Sequence, residues 1–268
     1  MRDPIKWTVV VLGLAGVVAI FYPRWYSQVP EPQVEPPVHT ETQPVPETKA
    51  KPQILHPIAE AGEPGNEVKP LPALSESDAA MQESLAGLVG QKTLTEFFYL
   101  NDIIRRIVAT VDNLPRAKVA LRLMPVKPVA RKFLVTGEED NFVLNPDNYS
   151  RYAPYVRLAE AVSVKKLVAV YVRFYPLFQQ AYKDLGYPSG YFNDRLVEVI
   201  DHLLAAPEVQ GPVKLVQPRV MYQFADPELE ALSAGHKILV RMGSENAAGI
   251  KAKLKEIRPE LTGQELKQ

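Results

Sequence analysis

The chain has 268 residues, 46% apolar and 23% charged, a composition near the globular average that permits a sizeable core. Its 31 basic residues cancel its 31 acidic ones, so no field of one sign points to nucleic acid or to a charged substrate class. With no cysteine, a disulfide framework, thiolate metal sites, iron–sulfur clusters and cysteine nucleophiles are all excluded.

Residues 1–6 are a short polar start. The stretch 7–22, WTVVVLGLAGVVAIFY, is uncharged and apolar and would make about 24 Å of helix at 1.5 Å per residue. Lys6 and Arg24 flank it, and Trp7, Tyr22, Trp25 and Tyr26 supply interfacial aromatics, which predicts one membrane-spanning anchor. Bulky residues from Phe21 to Trp25 leave no small-residue cleavage site, so an uncleaved anchor is expected rather than a signal peptide. Arg2, Lys6 and the amino terminus outweigh Arg24. That balance puts residues 1–6 in the cytoplasm; in a bacterium the chain would then be a single-pass inner-membrane protein with its C-terminal domain in the periplasm.

Residues 23–72 hold about half of the 25 prolines, a scatter of glutamates from Glu31 to Glu67, and no aromatic after Tyr26. Such a segment has too little apolar surface for a core and is expected to be a disordered, semi-stiff tether of polyproline character. Composition changes at Leu74, and residues 73–268 read as one folded domain. Ser75 with Asp78, then Thr93 with Glu96, are capping boxes that open a first helix to Gly90 and a second, longer one. The second carries Leu94, Phe97, Phe98, Ile103, Ile104, Ile107, Val108 and Val111 at three- and four-residue steps and ends at Asn113-Leu114-Pro115.

Between Val119 and Leu144 the pattern turns to short strands: Val119, Leu121 and Leu123 alternate, and 133–136 faces 142–144 across a Gly-Glu-Glu-Asp turn. Helices resume at 149–161, at 164–185 behind an N-cap at Ser163, and at 191–205, with Pro176 expected to kink or divide the middle one. Residues 213–224 favour extended structure interrupted at Pro218 and are available to pair with the earlier hairpin. Asp226-Pro227 begins a short helix, 234–242 another, and Ser244 caps a basic amphipathic helix ending near Arg258-Pro259. The fold class predicted is α+β: a mainly helical single domain with a small antiparallel sheet, behind one transmembrane helix and a Pro-rich linker.

Two constellations carry chemistry. The helix from Tyr191 places Asp194, Glu198, Asp201 and His202 within an arc of about 100°, with Leu196, Val199, Ile200, Leu203 and Leu204 opposite. Three carboxylates and an imidazole on one face suit acid–base or metal-assisted hydrolysis, or else a solvated, salt-bridged face that Arg195 shares. Only His202 and His236 lie in the folded part, which argues against a multi-histidine zinc site, so no metal and no cofactor is assigned. The second constellation is aromatic: eight of the twelve tyrosines fall between Tyr149 and Tyr191. Tyr149, Tyr152, Tyr155, Arg173, Tyr175, Gln179, Tyr191 and Asn193 would line a groove for a glycan, peptide or protein; the alternative is that the stripe Tyr171, Tyr175, Phe178, Tyr182 is core. Ser163 and Lys166 match S-x-x-K, but no K-T-G follows and Ser163 already serves as an N-cap.

Several strings are characteristic: RRIVATVDNLP at 105–115, NYSRYAPYV at 148–156, RFYPLFQQAY at 173–182, LGYPSGYFNDRLVEVIDHLL at 185–204 and YQFADPELEALSAGHK at 222–237. With them the chain resembles, from Leu71 to Arg258, the bacterial family of domain of unknown function 3014. The resemblance implies a membrane-anchored envelope protein with a proline-rich stalk and supplies no activity, cofactor or catalytic residue. Three functions follow as expectations. The first is a tethered interaction module contacting an envelope protein or peptidoglycan glycan. The second is an envelope hydrolase or metal-assisted enzyme using Asp194, Glu198, Asp201 and His202, and the third a non-catalytic scaffold whose aromatics are core.

Overall fold

Helix α1 (Asp78–Val89) follows a single 3-10 turn at Leu74–Glu76 and is followed by α2 (Gln91–Phe97) and α3 (Ile103–Asn113). A computed structural model describes residues 53–58, 70–130, 132–138 and 141–263, all within one compact unit. The long helix expected from Thr93 to Asn113 is broken, so that α2 and α3 are separate. The chain leaves the helical path at Phe98 to form an antiparallel bridge with Val126, and the Tyr99 N–H donates to the Pro125 carbonyl at 2.8 Å. Asp102 then takes a left-handed conformation with φ of 52°, one that aspartate tolerates better than most residues. The N–H groups of Asp102 and Ile103 donate to the two carboxylate oxygens of Asp78 at 2.7 and 3.0 Å. A side chain from another helix thus supplies the N-cap that α3 lacks locally.

Helices α4 (Asp147–Ala161), α5 (Val164–Asp184) and α6 (Phe192–Leu204) form the middle of the fold. Pro176 neither kinks α5 into two nor ends it. Its ring is exposed, while Tyr175, Leu177 and Phe178 beside it are buried, so packing holds the helix together across the missing hydrogen bond. The expected strand at Val119–Leu123 is a 3-10 turn, Leu121–Leu123. Leu121 is 73% exposed, and with no strand beside it the alternation has no buried face to serve.

The sheet has four short antiparallel strands in the order β1 (Val135–Thr136), β2 (Phe142–Leu144), β3 (Lys214–Val216) and β4 (Gln223–Phe224). Val135 pairs with Leu144, Phe142 with Leu215 and Leu215 with Phe224. The 213–224 segment therefore joins the earlier hairpin through β2. Helices α7 (Pro227–Ala231), α8 (Ala234–Met242) and α9 (Ser244–Thr262) complete the described chain. Helix α9 runs through Pro259, beyond its expected end, because Leu261 past the proline is 3% exposed and anchors the last turn.

The core has four linked parts, and α6 reaches three of them. Phe192 joins Ile103, Ile104, Val108, Phe174 and Phe178 in the largest; Val197 and Ile200 meet Val168 and Leu261 in a second; Leu203 packs against Ala206, Leu239 and Met242 in a third. The fourth lies between the sheet and α8, around Leu144, Val213, Leu215, Phe224 and Val240.

Among the described residues the architecture is mainly helical with one small antiparallel sheet. No helix among them is long and apolar enough to cross a membrane. The span expected over 7–22 lies outside the described residues, as do 1–6 and most of 23–72. The fold class is corrected accordingly: no transmembrane helix preceding the domain is supported. The inner-membrane, single-pass and periplasmic assignment rested on that helix and is corrected with it, as is membrane anchoring among envelope partners.

Candidate functional site

Helix α6 is amphipathic by sequence, and its apolar residues occupy the faces toward α3, α5, α8 and α9. Its first turn is assembled by other elements. Tyr191 is extended, and two side chains of α5 do the capping: Gln179 Oε1 accepts from the Phe192 N–H at 2.8 Å, and the Tyr175 hydroxyl oxygen accepts from the Asn193 N–H at 3.4 Å. Gln179 is fixed in turn by donating to the Gly190 carbonyl and accepting from the Tyr175 hydroxyl. Burial pushes the Tyr171 and Tyr175 hydroxyls far above the usual phenol range, so both remain protonated donors at any physiological pH.

Asn193 is wholly buried and joins three separate segments. Its amide nitrogen donates to the His56 carbonyl at 2.9 Å and to the Leu261 carbonyl of α9 at 3.0 Å, while its oxygen accepts from the Tyr171 hydroxyl at 3.1 Å. Next to it, the two carboxylate oxygens of Asp194 accept from the N–H groups of Leu55 and His56 at 3.0 and 2.7 Å. The Tyr191 hydroxyl accepts from the Ile58 N–H at 2.8 Å.

The other members of the acidic face take different partners. Glu198 pairs with Arg195 at 2.9 Å and is exposed; Asp201 receives two hydrogen bonds from Arg258 of α9. The Arg258 guanidinium holds the Asp201 carboxyl below the usual range despite partial desolvation, with a smaller contribution from His56. His202 Nε2 hydrogen-bonds with Ser233 Oγ at 2.8 Å, and its ring stacks on His236 with centroids 4.1 Å apart and planes 7° from parallel. His236 Nε2 donates to the His202 carbonyl at 2.6 Å. Burial, then the His236 ring and Arg195, lower the His202 pKa, with Glu198 opposing. Asp194, Asp201 and His202 thus face three different segments, while Glu198 pairs within α6 itself. Among the described residues no group of three or more histidine, cysteine, aspartate or glutamate side chains is placed to hold a metal ion.

Of the aromatic set, Tyr175, Gln179, Tyr191 and Asn193 gather around the start of α6, with the Tyr175 and Tyr191 rings 5.4 Å apart. Tyr149, Tyr152 and Tyr155 are on α4 and do other things. The Tyr149 ring lies over Gly243; Tyr152 is half-buried against the Leu239 and Met242 cluster; Tyr155 donates to the Lys127 carbonyl and meets Phe97 edge-on at 4.9 Å. Arg173 is exposed, its guanidinium 5.3 Å from the centre of the Phe174 ring. The stripe Tyr175, Phe178 and Tyr182 is buried in the largest core cluster, with half-buried Tyr171 packed on it.

The model of the family DUF3014, described as a protein of unknown function, matches residues 103–258, more than half of the chain. The chain belongs to this family. The family match runs from the first residue of α3 to Arg258 in α9, so it takes in the whole of α6 and leaves the docked residues 53–58 outside. No curated protein and no solved structure matches.

Membership brings no activity with it, and the functional expectations are corrected on the geometry. The metal-assisted hydrolase loses its basis because the four α6 side chains do not share a metal-binding cluster. The inner-membrane presentation of a periplasmic interaction domain loses its basis because no helix among the described residues spans a membrane. Two contributions to this region were invisible in the helical pattern. One is the segment 53–58, whose signal is Ile54, Leu55 and Ile58, three apolar residues in a stretch otherwise rich in proline and glutamate. The other is Asp112, 3% exposed, which meets Arg195, Arg116 and the Tyr187 hydroxyl.

Proposed function

We propose that this DUF3014 domain is a non-catalytic scaffold, which works by fixing separate stretches of chain in place rather than by transforming a bound molecule. The observation that carries this reading is the commitment of the α6 polar face. Asp194 binds two backbone N–H groups, Asp201 binds Arg258, His202 binds Ser233, and Asn193 bonds to three segments at once. A general acid or base must converge with its partners on one substrate; here Asp194, Asp201 and His202 are instead each held by a different part of the protein.

The test is to assay the full chain against ester, phosphate-ester, glycoside and peptide substrates, with and without added Mg2+, Mn2+ or Zn2+, beside D194N, E198Q, D201N and H202Q. The expected result is no turnover that any of these substitutions abolishes, together with lowered Tm for D194N, D201N and H202Q and little change for exposed Glu198. Turnover lost in one variant whose Tm is unchanged would overturn the scaffold reading.

A further inference from the structure

Residues 191–194, at the start of α6, hold the segment 55–58 by its backbone. From Leu55 to Ile58 every backbone N–H that exists is taken by a side chain of residues 191–194: Leu55 and His56 by Asp194, Ile58 by the Tyr191 hydroxyl, while Pro57 has none to give. The one acceptor used, the His56 carbonyl, receives the buried Asn193 amide. The segment has no secondary structure of its own, so side chains of α6 and the residue before it supply the partners that a helix or sheet ladder otherwise would. Ile58 adds an apolar anchor, packed against the largest core cluster, whereas Ile54 and Leu55 are 49% and 66% exposed and contribute little side-chain burial.

The two N–H groups on one carboxylate are charge-assisted bonds, stronger than neutral ones. Asp194 also sits in the first turn of a 13-residue helix, where the dipole favours its negative charge. The receptor side is held independently of the segment, because Asn193 is fixed by Tyr171 and the Leu261 carbonyl, and Tyr191 by its ring contact with Tyr175.

We infer that the side chains of Tyr191, Asn193 and Asp194 form a recognition site for a linear peptide of the pattern two free N–H groups, proline, apolar residue, and that residues 53–58 are its intramolecular ligand. Recognition is of backbone N–H groups and one apolar side chain, none of which depends on the connection through residues 59–69. The same peptide supplied from outside therefore competes for these side chains, and the covalent attachment gives the resident segment the advantage of effective concentration. This deepens the scaffold reading by naming what is held; it fails separately from that reading, since loss of peptide binding leaves the absence of turnover untouched.

The experiment uses the full chain and a peptide of residues 53–58, acetylated or fluorophore-capped at its start and amidated at its end, read by fluorescence anisotropy. Leu55→Pro removes one of the two N–H groups on Asp194 at an exposed position, and Ile58→Asp removes the apolar anchor; either loosens the resident segment. The expected result is binding to both variants at least about tenfold tighter than to the parent chain. Adding D194N to Leu55→Pro abolishes binding, and adding Y191F weakens it several-fold, with circular dichroism and Tm reporting that each variant is folded. Absence of binding to folded Leu55→Pro and Ile58→Asp would overturn the proposal and leave the segment a permanent part of the fold. Binding that D194N does not alter would overturn it equally.

Discussion

Replacing Asn193 by alanine tests the convergence on which the scaffold reading depends. Three groups lose their partner at once: the Leu261 carbonyl, which is buried, and the His56 carbonyl and Tyr171 hydroxyl, which are partly so. An unpaired buried group costs roughly 2 kcal/mol and a half-buried one about 1 kcal/mol, which together give about 4 kcal/mol, near the top of the range for single substitutions. In equilibrium urea unfolding, with a slope of about 2 kcal/mol per molar, the midpoint falls by about 2 M at unchanged slope. Tyr171→Phe alone removes one of the three bonds and costs about 1 kcal/mol, and the double variant is less destabilised than the sum because the two residues share that bond. A loss below about 1 kcal/mol for Asn193→Ala would refute the convergence, since no buried carbonyl could then depend on that amide.

Gly243 has φ 85° and ψ 159°, a region essentially restricted to glycine, and an added Cβ would lie 2.7 Å from the Tyr149 ring. Gly243→Ala is expected to cost about 3 kcal/mol from strain and overlap combined, and Tyr149→Ala in the same chain recovers only the overlap part in thermal melts. The His202 pKa is lowered in the folded state, so its contribution to stability is complete above about pH 6.5 and is lost as pH falls through the folded value. Unfolding free energy measured from pH 7 to pH 5 therefore declines, and H202Q flattens that decline; equal slopes in the two proteins would refute the assignment. Asp112→Ala leaves Arg195, only 19% exposed, with the exposed Glu198 as its remaining carboxylate, and is expected to cost about 2 kcal/mol, less than a buried charge left wholly unpaired. Arg116→Ala, whose side chain is 53% exposed, costs less than about 1 kcal/mol by the same urea assay.

Local rules were legible wherever the partner of a residue lies nearby in sequence. The apolar steps of Ile103 to Val111, the 133–136 and 142–144 hairpin, Asp226-Pro227 and the opposed faces of 192–204 all follow from periodicity and turn chemistry, and the structure has each element. What failed was local pattern overruled by distant partners. Leu94 to Val111 keeps a helical period, yet Phe98 pairs with Val126 in a bridge whose bonds run from Tyr99 to Pro125 and from Lys127 to Phe97, and Asp78 caps a new helix at Ile103. Pro176 and Pro259 are stop signals overridden by buried neighbours, Tyr175 and Leu177 in one case and Leu261 in the other.

The same reasoning explains the candidate site. Amphipathicity placed Asp194, Glu198, Asp201 and His202 on one side of a helix, but a face says nothing about what approaches it. Residues 53–58, Ser233 and Arg258 each claim a different member, and none is close to α6 in sequence.

Those distances bear on the order in which the protein assembles. The Tyr171 bond to Asn193 spans 22 residues, the Leu261 bond 68 and the His56 bond 137. Closing the longest of these loops costs about 2 kcal/mol more entropy than a 10-residue loop, so docking of 53–58 belongs among the last events of folding. On the ribosome, Asn193 emerges with the Tyr171 hydroxyl and the His56 carbonyl already synthesised and only the Leu261 carbonyl still to come. The Asn193 amide therefore stays one partner short until α9 has been synthesised and packed, and the shortest such interval is set by the time taken to translate residues 194–261.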